Sequence, residues 1–269
     1  MTEGRFKIAA VQMVSEPEVQ ANLRAAGELI AQAAGEGAKL VALPEYFCIL
    51  GRRDRDKVDV REPYGSGPIQ DFLAAAAAKN KVWLVGGSVP LECDDPGRVR
   101  NTCLVFDDAG RRVARYDKIH LFGFDSGKER FQESRSIEPG SEVVALDTPF
   151  GRLGLSICYD LRFPEMYRSM GEVDLILVPS SFTATTGKAH WELLLRARAI
   201  ENQAYVLAPA QGGHHKNGRD TYGHSIAIDP WGGVLAVLAS GPGVVTAEID
   251  HAEIARVRQS LPALTHRVM

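Results

Sequence analysis

Short apolar runs alternate with stretches of helical periodicity along almost the whole chain. Residues 7–14 read as a strand, and Leu23, Leu29 and Ile30 mark one face of a helix over about 17–34, with Pro17 at its start and Gly35 and Gly37 at its end. Residues 40–43 form a short buried strand that stops at Pro44-Glu45. A second helix is predicted over 68–79, favoured by five consecutive alanines, and a strand over 82–89. Residues 101–107 and 111–118 pair as a hairpin around Asp108-Ala109-Gly110, before a long polar loop over 120–140 with no regular pattern. The second half repeats the rhythm. Strands are predicted at 153–158, 175–179 and 205–210, with helices from Pro164 and over 189–202. Three more strands, at 225–229, 234–238 and 244–249, precede a last helix near 251–260. Interleaved strands and helices with inserted hairpins predict an α/β sandwich with mixed sheets inside and helices outside. No linker composition, short repeat or low-complexity segment divides the chain, so one domain over 1–269 is expected.

Composition narrows the function. The net charge is −3, and the most charged stretch, Arg52-Arg53-Asp54-Arg55-Asp56-Lys57, alternates in sign, which reads as a solvated surface and disfavours nucleic-acid or anionic-membrane partners. No apolar run approaches the ~20 residues of a membrane helix. The first residues lack a secretory apolar core, so a cytoplasmic location is expected. The four cysteines (Cys48, Cys93, Cys103 and Cys158) have no C-x-x-C spacing and are expected to be reduced thiols, most of them packing residues. The chain lacks the G-x-S-x-G of a serine nucleophile elbow, a complete phosphate-binding loop and the third glycine of a dinucleotide fingerprint. His214, His215 and His224 sit in a Gly/Asn-rich region without metal-ligand spacing, so surface or hydrogen-bonding roles are expected.

Three strand ends carry complementary chemistry. Cys158 ends an apolar strand just before a helix start at Arg162-Phe163-Pro164, where free N–H groups lower a thiol's pKa and that of Tyr159 can hold an oxyanion. Glu45 ends another apolar strand, where partial desolvation suits a general base. Lys118 ends the hairpin and can stabilise a thiolate and an oxyanion by charge. Singly, each has a plain structural alternative: a buried cysteine, a helix cap or ion pair, a solvated hairpin end. Together they supply nucleophile, base and cation for acyl transfer through a thioester. A papain-like pairing of Cys158 with His190 or His224 lacks an asparagine-orienting segment.

The motifs Leu43-Pro44-Glu45, Tyr116-Asp117-Lys118-Ile119-His120-Leu121 and Cys158-Tyr159-Asp160-Leu161-Arg162-Phe163-Pro164-Glu165 resemble the nitrilase superfamily of carbon–nitrogen hydrolases. Pro179-Ser180-Ser181-Phe182, His190-Trp191-Glu192 and Tyr222-Gly223-His224-Ser225 extend the likeness over nearly the whole chain. The resemblance implies a four-layer α-β-β-α sandwich, a homodimer or higher homo-oligomer, and no metal or organic cofactor. It assigns Glu45 as base, Lys118 as oxyanion cation, Cys158 as nucleophile, and Glu133 as a second glutamate that positions Lys118 or the leaving group.

Within the superfamily the motifs are most similar to the branch of deaminated glutathione amidase and ω-amidase, implying a small carboxylate-bearing amide as substrate. Tyr159, Arg162, Phe182 and Thr186 are the candidate substrate-binding residues. A guanidinium at Arg162 can grip a carboxylate with two prongs, although an ion pair with Glu165 or a dimer contact would equally place an arginine there. The same three groups would serve a nitrilase or an N-carbamoyl hydrolase, and a non-catalytic interaction protein of this fold would be expected to have lost one of them. The sequence departs from that branch at Leu121-Phe122-Gly123-Phe124-Asp125, where an acidic residue is usual in place of Gly123, and in the charged residues 126–130 that follow.

Overall fold

Two six- and seven-stranded sheets lie face to face in the computed structural model, which describes residues 4–127 and 130–268. In the first sheet, Arg5–Gln12 runs parallel to Leu40–Ala42 and antiparallel to Gly243–Asp250, while Leu40–Ala42 runs parallel to Trp83–Val85. Arg100–Phe106 continues the sheet and pairs with Trp83–Val85, Val89–Leu91 and Arg112–Asp117. The second sheet has parallel strands Gly151–Leu155, Leu175–Leu177 and Tyr205–Ala208, extended by Ala145–Thr148 on one side and by Ser225–Ile228 and Val234–Leu238 on the other. The last strand of the chain thus closes onto the first.

Strand alternation divides the core into layers. Along Arg5–Gln12, Ile8 and Ala10 join the buried cluster shared with the second sheet, including Leu153, Leu155 and Leu177. Their neighbours Ala9 and Val11 pack with Leu23, Ala26 and Ile30 of helix Val19–Gly35 and with Leu73 of helix Pro68–Asn80. Both faces of the sheet are covered, which explains why its central strands read as continuous apolar runs. Trp191, Leu195 and Ala199 of helix Ala184–Asn202 belong to the cluster that covers the second sheet. The order is helix, sheet, sheet, helix: the expected α-β-β-α sandwich.

Several boundaries differ from the sequence expectation. The segment 82–89 is two strands, because Gly86-Gly87 turns the chain and Gly87 takes φ +56°. A Cβ at Gly87 would strike the Pro44 carbonyl, so the glycine lets this turn lie directly against the segment carrying Glu45. The helix expected from 189 begins at Ala184, where the Thr183 hydroxyl accepts from Thr186 N–H at 3.2 Å. The 120–140 loop contains a small hairpin, Gly123–Asp125 with Arg130–Gln132, and the 3-10 turn Glu133–Arg135; Lys128 and Glu129 lie outside the described residues. The ribbon Gly212–His214 with Asp220–Tyr222 and the short helix Asp56–Asp59 are further additions. Among the described residues no helix is long and apolar enough to cross a membrane.

Candidate active site

Glu45, Lys118 and Cys158 each sit one to three residues beyond a strand end and meet in the space between the sheets' edges. The Lys118 ammonium donates to Glu45 Oε1 and to Glu133 Oε2, each at 2.8 Å. Glu45 Oε1 also accepts from Asn101 Nδ2 at 2.9 Å, and Cys158 borders the same cavity as Glu45 and Glu133. Glu133 accepts from three donors: Lys118, the Tyr46 hydroxyl at 2.7 Å and the Phe122 N–H at 2.7 Å. Three of the four residues predicted as the chemical centre are therefore one hydrogen-bonded network, and the fourth, Cys158, faces the same cavity.

Local backbone geometry aims these groups. Tyr46 and Cys158 have φ +57° and +50°, a left-handed conformation that costs a side-chain-bearing residue roughly 1–2 kcal/mol. Each is held by a hydrogen bond: Tyr46 N–H donates to Ser88 Oγ at 2.9 Å, and Cys158 N–H donates to Pro179 O at 2.9 Å. Gln211 Nε2 donates to the Glu45 carbonyl at 3.1 Å and to Ser15 Oγ at 2.7 Å, tying the segment of Glu45 to the second half of the chain.

Asp160 anchors the turn that carries Cys158. This fully buried carboxylate accepts from Ile157 N–H at 2.9 Å, the Tyr116 hydroxyl at 2.6 Å and His120 N–H at 3.0 Å, and pairs with His120 Nδ1 at 2.8 Å. It thereby joins the turn Cys158–Arg162 to the segment that carries Lys118. His120 in turn stacks on Phe163 with centroids 3.7 Å apart.

The electrostatics separate the two glutamates. Burial raises the pKa of Glu45, and the nearby Glu133 adds to this against the opposing charge of Lys118. Burial alone would also raise Glu133, but Lys118, Lys57 and the Phe122 N–H together hold it below the usual carboxylate range. Burial would lower Lys118; the charges of Glu133 and Glu45 overcome this and raise it well above the usual lysine value. The expected acidic thiol at Cys158 is not found. Burial, then the charge of Glu45, pushes it well up, with Lys118 and the Ser181 N–H only partly opposing. Depth outweighs any help from a helix start, since Cys158 opens a short 3-10 turn rather than a helix and the following helix Pro164–Ser169 has six residues. Both shifts favour the proton-bearing form, of the Cys158 thiol and of the Glu45 carboxyl group.

Two spaces meet at Cys158. The wider cavity, about 290 Å³, is bordered by Glu45, Glu133, Lys57, Arg219 and Ser181 as well as Cys158. The narrower cleft, about 10 Å³, is lined by the four candidate substrate residues Tyr159, Arg162, Phe182 and Thr186. Arg162 lies over the Tyr159 and Phe182 rings, 5.6 and 5.5 Å from their centroids, and its Nη1 is 3.3 Å from His190 Nδ1. Among the described residues it forms no ion pair, so the alternative pairing with Glu165 is absent. Asn101, Tyr46, Gln211 and Asp160 escaped sequence reasoning, although Tyr46 follows Glu45 directly and Asp160 lies within the cysteine motif.

The histidine-rich region is structural. His215 is buried, bonding Ser15 O at 2.9 Å and Thr221 Oγ1 at 2.7 Å through its two ring nitrogens, and burial lowers its pKa. Among the described residues no group of three or more His, Cys, Asp or Glu side chains is placed to hold a metal ion.

Known proteins resemble the chain over nearly its whole length. Residues 7–259 match the family described as carbon-nitrogen hydrolase. The chain is 42% identical over 269 residues to a deaminated glutathione amidase of Synechocystis, covering 98% of each. It is 37% identical over 277 residues to the human omega-amidase NIT2, covering 97% of this chain and 95% of that one. Among solved structures it superposes on the Caenorhabditis elegans NitFhit protein with a TM-score of 0.90 at 40% identity, covering 100% of this chain and 66% of that chain. Saccharomyces cerevisiae Nit3, a member of the nitrilase superfamily, gives a TM-score of 0.87 at 33% identity, covering 98% of this chain and 97% of that chain.

Proposed function

Because the chain belongs to the carbon–nitrogen hydrolase family, we propose that its reaction runs through a thioester on Cys158, with Glu45 as base and Lys118 as oxyanion partner. It is an amidohydrolase of the nitrilase superfamily, acting on carbon–nitrogen bonds other than peptide bonds. The observation that carries the residue assignment is the network in which Lys118 bonds Glu45 and Glu133 at the wall of a cavity that Cys158 also borders.

In the first half-reaction Glu45 takes the thiol proton as Sγ attacks the amide carbon. The Lys118 ammonium and the Tyr159 N–H receive the oxyanion. Protonated Glu45 then gives its proton to the nitrogen, the C–N bond breaks, and the amine or ammonia leaves a thioester behind. In the second half Glu45 takes a proton from water as the oxygen attacks the thioester. Collapse releases the acid, and the proton returns to Sγ. Glu133, ionised and bonded by three donors, positions Lys118 throughout.

The substrate is a small amide bearing a carboxylate, either resembling deaminated glutathione or the ω-amide of a 2-oxo acid, with Arg162 as the carboxylate's partner on the acyl side. Similarity to a deaminated glutathione amidase and an omega-amidase supports this, as does the absence of an ion pair at Arg162 among the described residues. Side-by-side assay of such amides, the matching nitriles and ureido acids tests the reading. Turnover of the nitrile or ureido acid above all amides would replace it.

The raised Glu45 pKa sets a pH profile. Glu45 must be unprotonated to accept the thiol proton, and a raised pKa keeps it protonated to higher pH. The acid limb of kcat/KM is therefore expected to fall through a midpoint above the ordinary glutamate value of ~4.3. Glu45→Gln removes that limb together with about 10²–10⁴ of the rate. An acid limb at the ordinary value would assign the titration to another group.

The protein works as a homodimer in this reading, in the cytoplasm and without a cofactor. Leu193 and Ile200 are exposed on helix Ala184–Asn202 beside exposed Trp231, an apolar surface suited to self-association. Light scattering at micromolar concentration is expected to give twice the chain mass, and a monomer mass would remove the dimer.

A further inference from the structure

Four cationic side chains border the wide cavity, and three of them carry carboxylate partners. Arg53 pairs with Asp56 at 2.8 Å, Arg219 with Asp54 at 3.2 Å, and Arg130 with Asp125 at 3.7 Å. Lys57 is the exception: among the described residues it forms no ion pair. Its Nζ donates to Ser136 Oγ at 3.3 Å and lies 5.3 Å from the centroid of the Tyr46 ring. Helix Asp56–Asp59 holds it there, anchored by fully buried Val58 against Val99 and Ile137. Removal from water lowers the pKa of Lys57, with Glu133 and Asp54 opposing. A partly buried ammonium without a contacting anion is an unfavourable arrangement that a bound carboxylate would relieve.

Position relative to Glu45 decides which half of the substrate that carboxylate belongs to. The leaving nitrogen must face the group that protonates it. Glu45 borders the wide cavity and does not line the narrow cleft. The amine half of the amide therefore extends into the wide cavity, toward Lys57, and Arg162 stands on the other side of Cys158.

We infer that Lys57 is a specificity-determining residue that binds a carboxylate on the leaving-amine half of the substrate, so that the preferred amides release an amino acid or short peptide rather than ammonia. This deepens the amidase reading and rests on it. It predicts two carboxylates in the best substrates, one on each side of the scissile bond, each matched to a cation that has no ion-pair partner among the described residues.

Two amides of one 2-oxo acid test this, one formed with glycine and the other with uncharged glycinamide. Wild type is expected to favour the glycine amide by about 10- to 100-fold in kcat/KM, the range of one charge-assisted contact. Lys57→Met brings that ratio close to one, and Lys57→Arg keeps most of it. Lys57 also helps depress Glu133, so its removal can slow both substrates; an equal slowing that leaves the ratio intact overturns the inference, because it assigns Lys57 to Glu133 alone. A wild-type ratio near one overturns it without any variant. Should wild type hydrolyse neither amide and form no adduct on Cys158, the amidase reading itself fails, an outcome distinct from an unchanged ratio.

Discussion

Cys158→Ala is expected to reduce amide hydrolysis by at least about 10⁴-fold, and Cys158→Ser to recover almost none of it. The reason is the thiol's surroundings. Burial and Glu45 already keep the sulfur protonated at rest, so even the wild-type nucleophile exists only as its proton passes to Glu45. A serine hydroxyl is a far weaker acid and gives the same base much less to work with. Amine release under saturating substrate measures the loss. Mass spectrometry of rapidly quenched wild type should show an acyl adduct on the peptide containing Cys158, absent from the alanine variant. A serine variant within about tenfold of wild type would contradict a sulfur nucleophile.

Lys118→Met is expected to damage both activity and folding. Its ammonium is fully buried and sits between two carboxylates at 2.8 Å. Removing one partner of a buried charge cluster costs about 3–5 kcal/mol, because the remaining charges stay desolvated without compensation. Urea unfolding at neutral pH measures that cost, and loss of the oxyanion partner adds a fall of about 10²–10³ in kcat. The pH dependence follows from the sign of the shift. Without Lys118, burial and mutual repulsion raise both glutamates above their unfolded values. Groups raised in this way favour the folded state below the unfolded pKa, and that favour is lost as pH rises through the folded pKa. The deficit of the variant should therefore be greatest at neutral pH and shrink toward pH 4. A deficit independent of pH would show that lost packing, not charge, is responsible.

The gathering of Glu45, Lys118 and Cys158 in one place was legible because each sits just past a strand end, and strand ends are fixed by local pattern. The resemblance then supplied Glu133, from a loop that periodicity could not parse. What stayed hidden depends on distant partners. Arg52-Arg53-Asp54-Arg55-Asp56-Lys57 reads as a solvated run, and most of it is; Val58 buries itself and turns Lys57 inward, which no charge pattern announces. Strands of three residues, such as Gly123–Asp125 and Gly212–His214, are too short to show alternation. The thiol's acidity was misjudged because chain proximity to a helix start says nothing about depth, and depth dominates here.

Asp160 bears on how the centre responds to arriving substrate. Because one carboxylate ties the turn of Cys158 to the hydroxyl of Tyr116 and the backbone of His120, the attacking sulfur and the ammonium two residues from each of those anchors move as a unit. Their spacing is thus inherited from the interior of the sandwich. Little rearrangement energy remains to be spent when an amide docks, so its binding energy can go into the bond-breaking step itself.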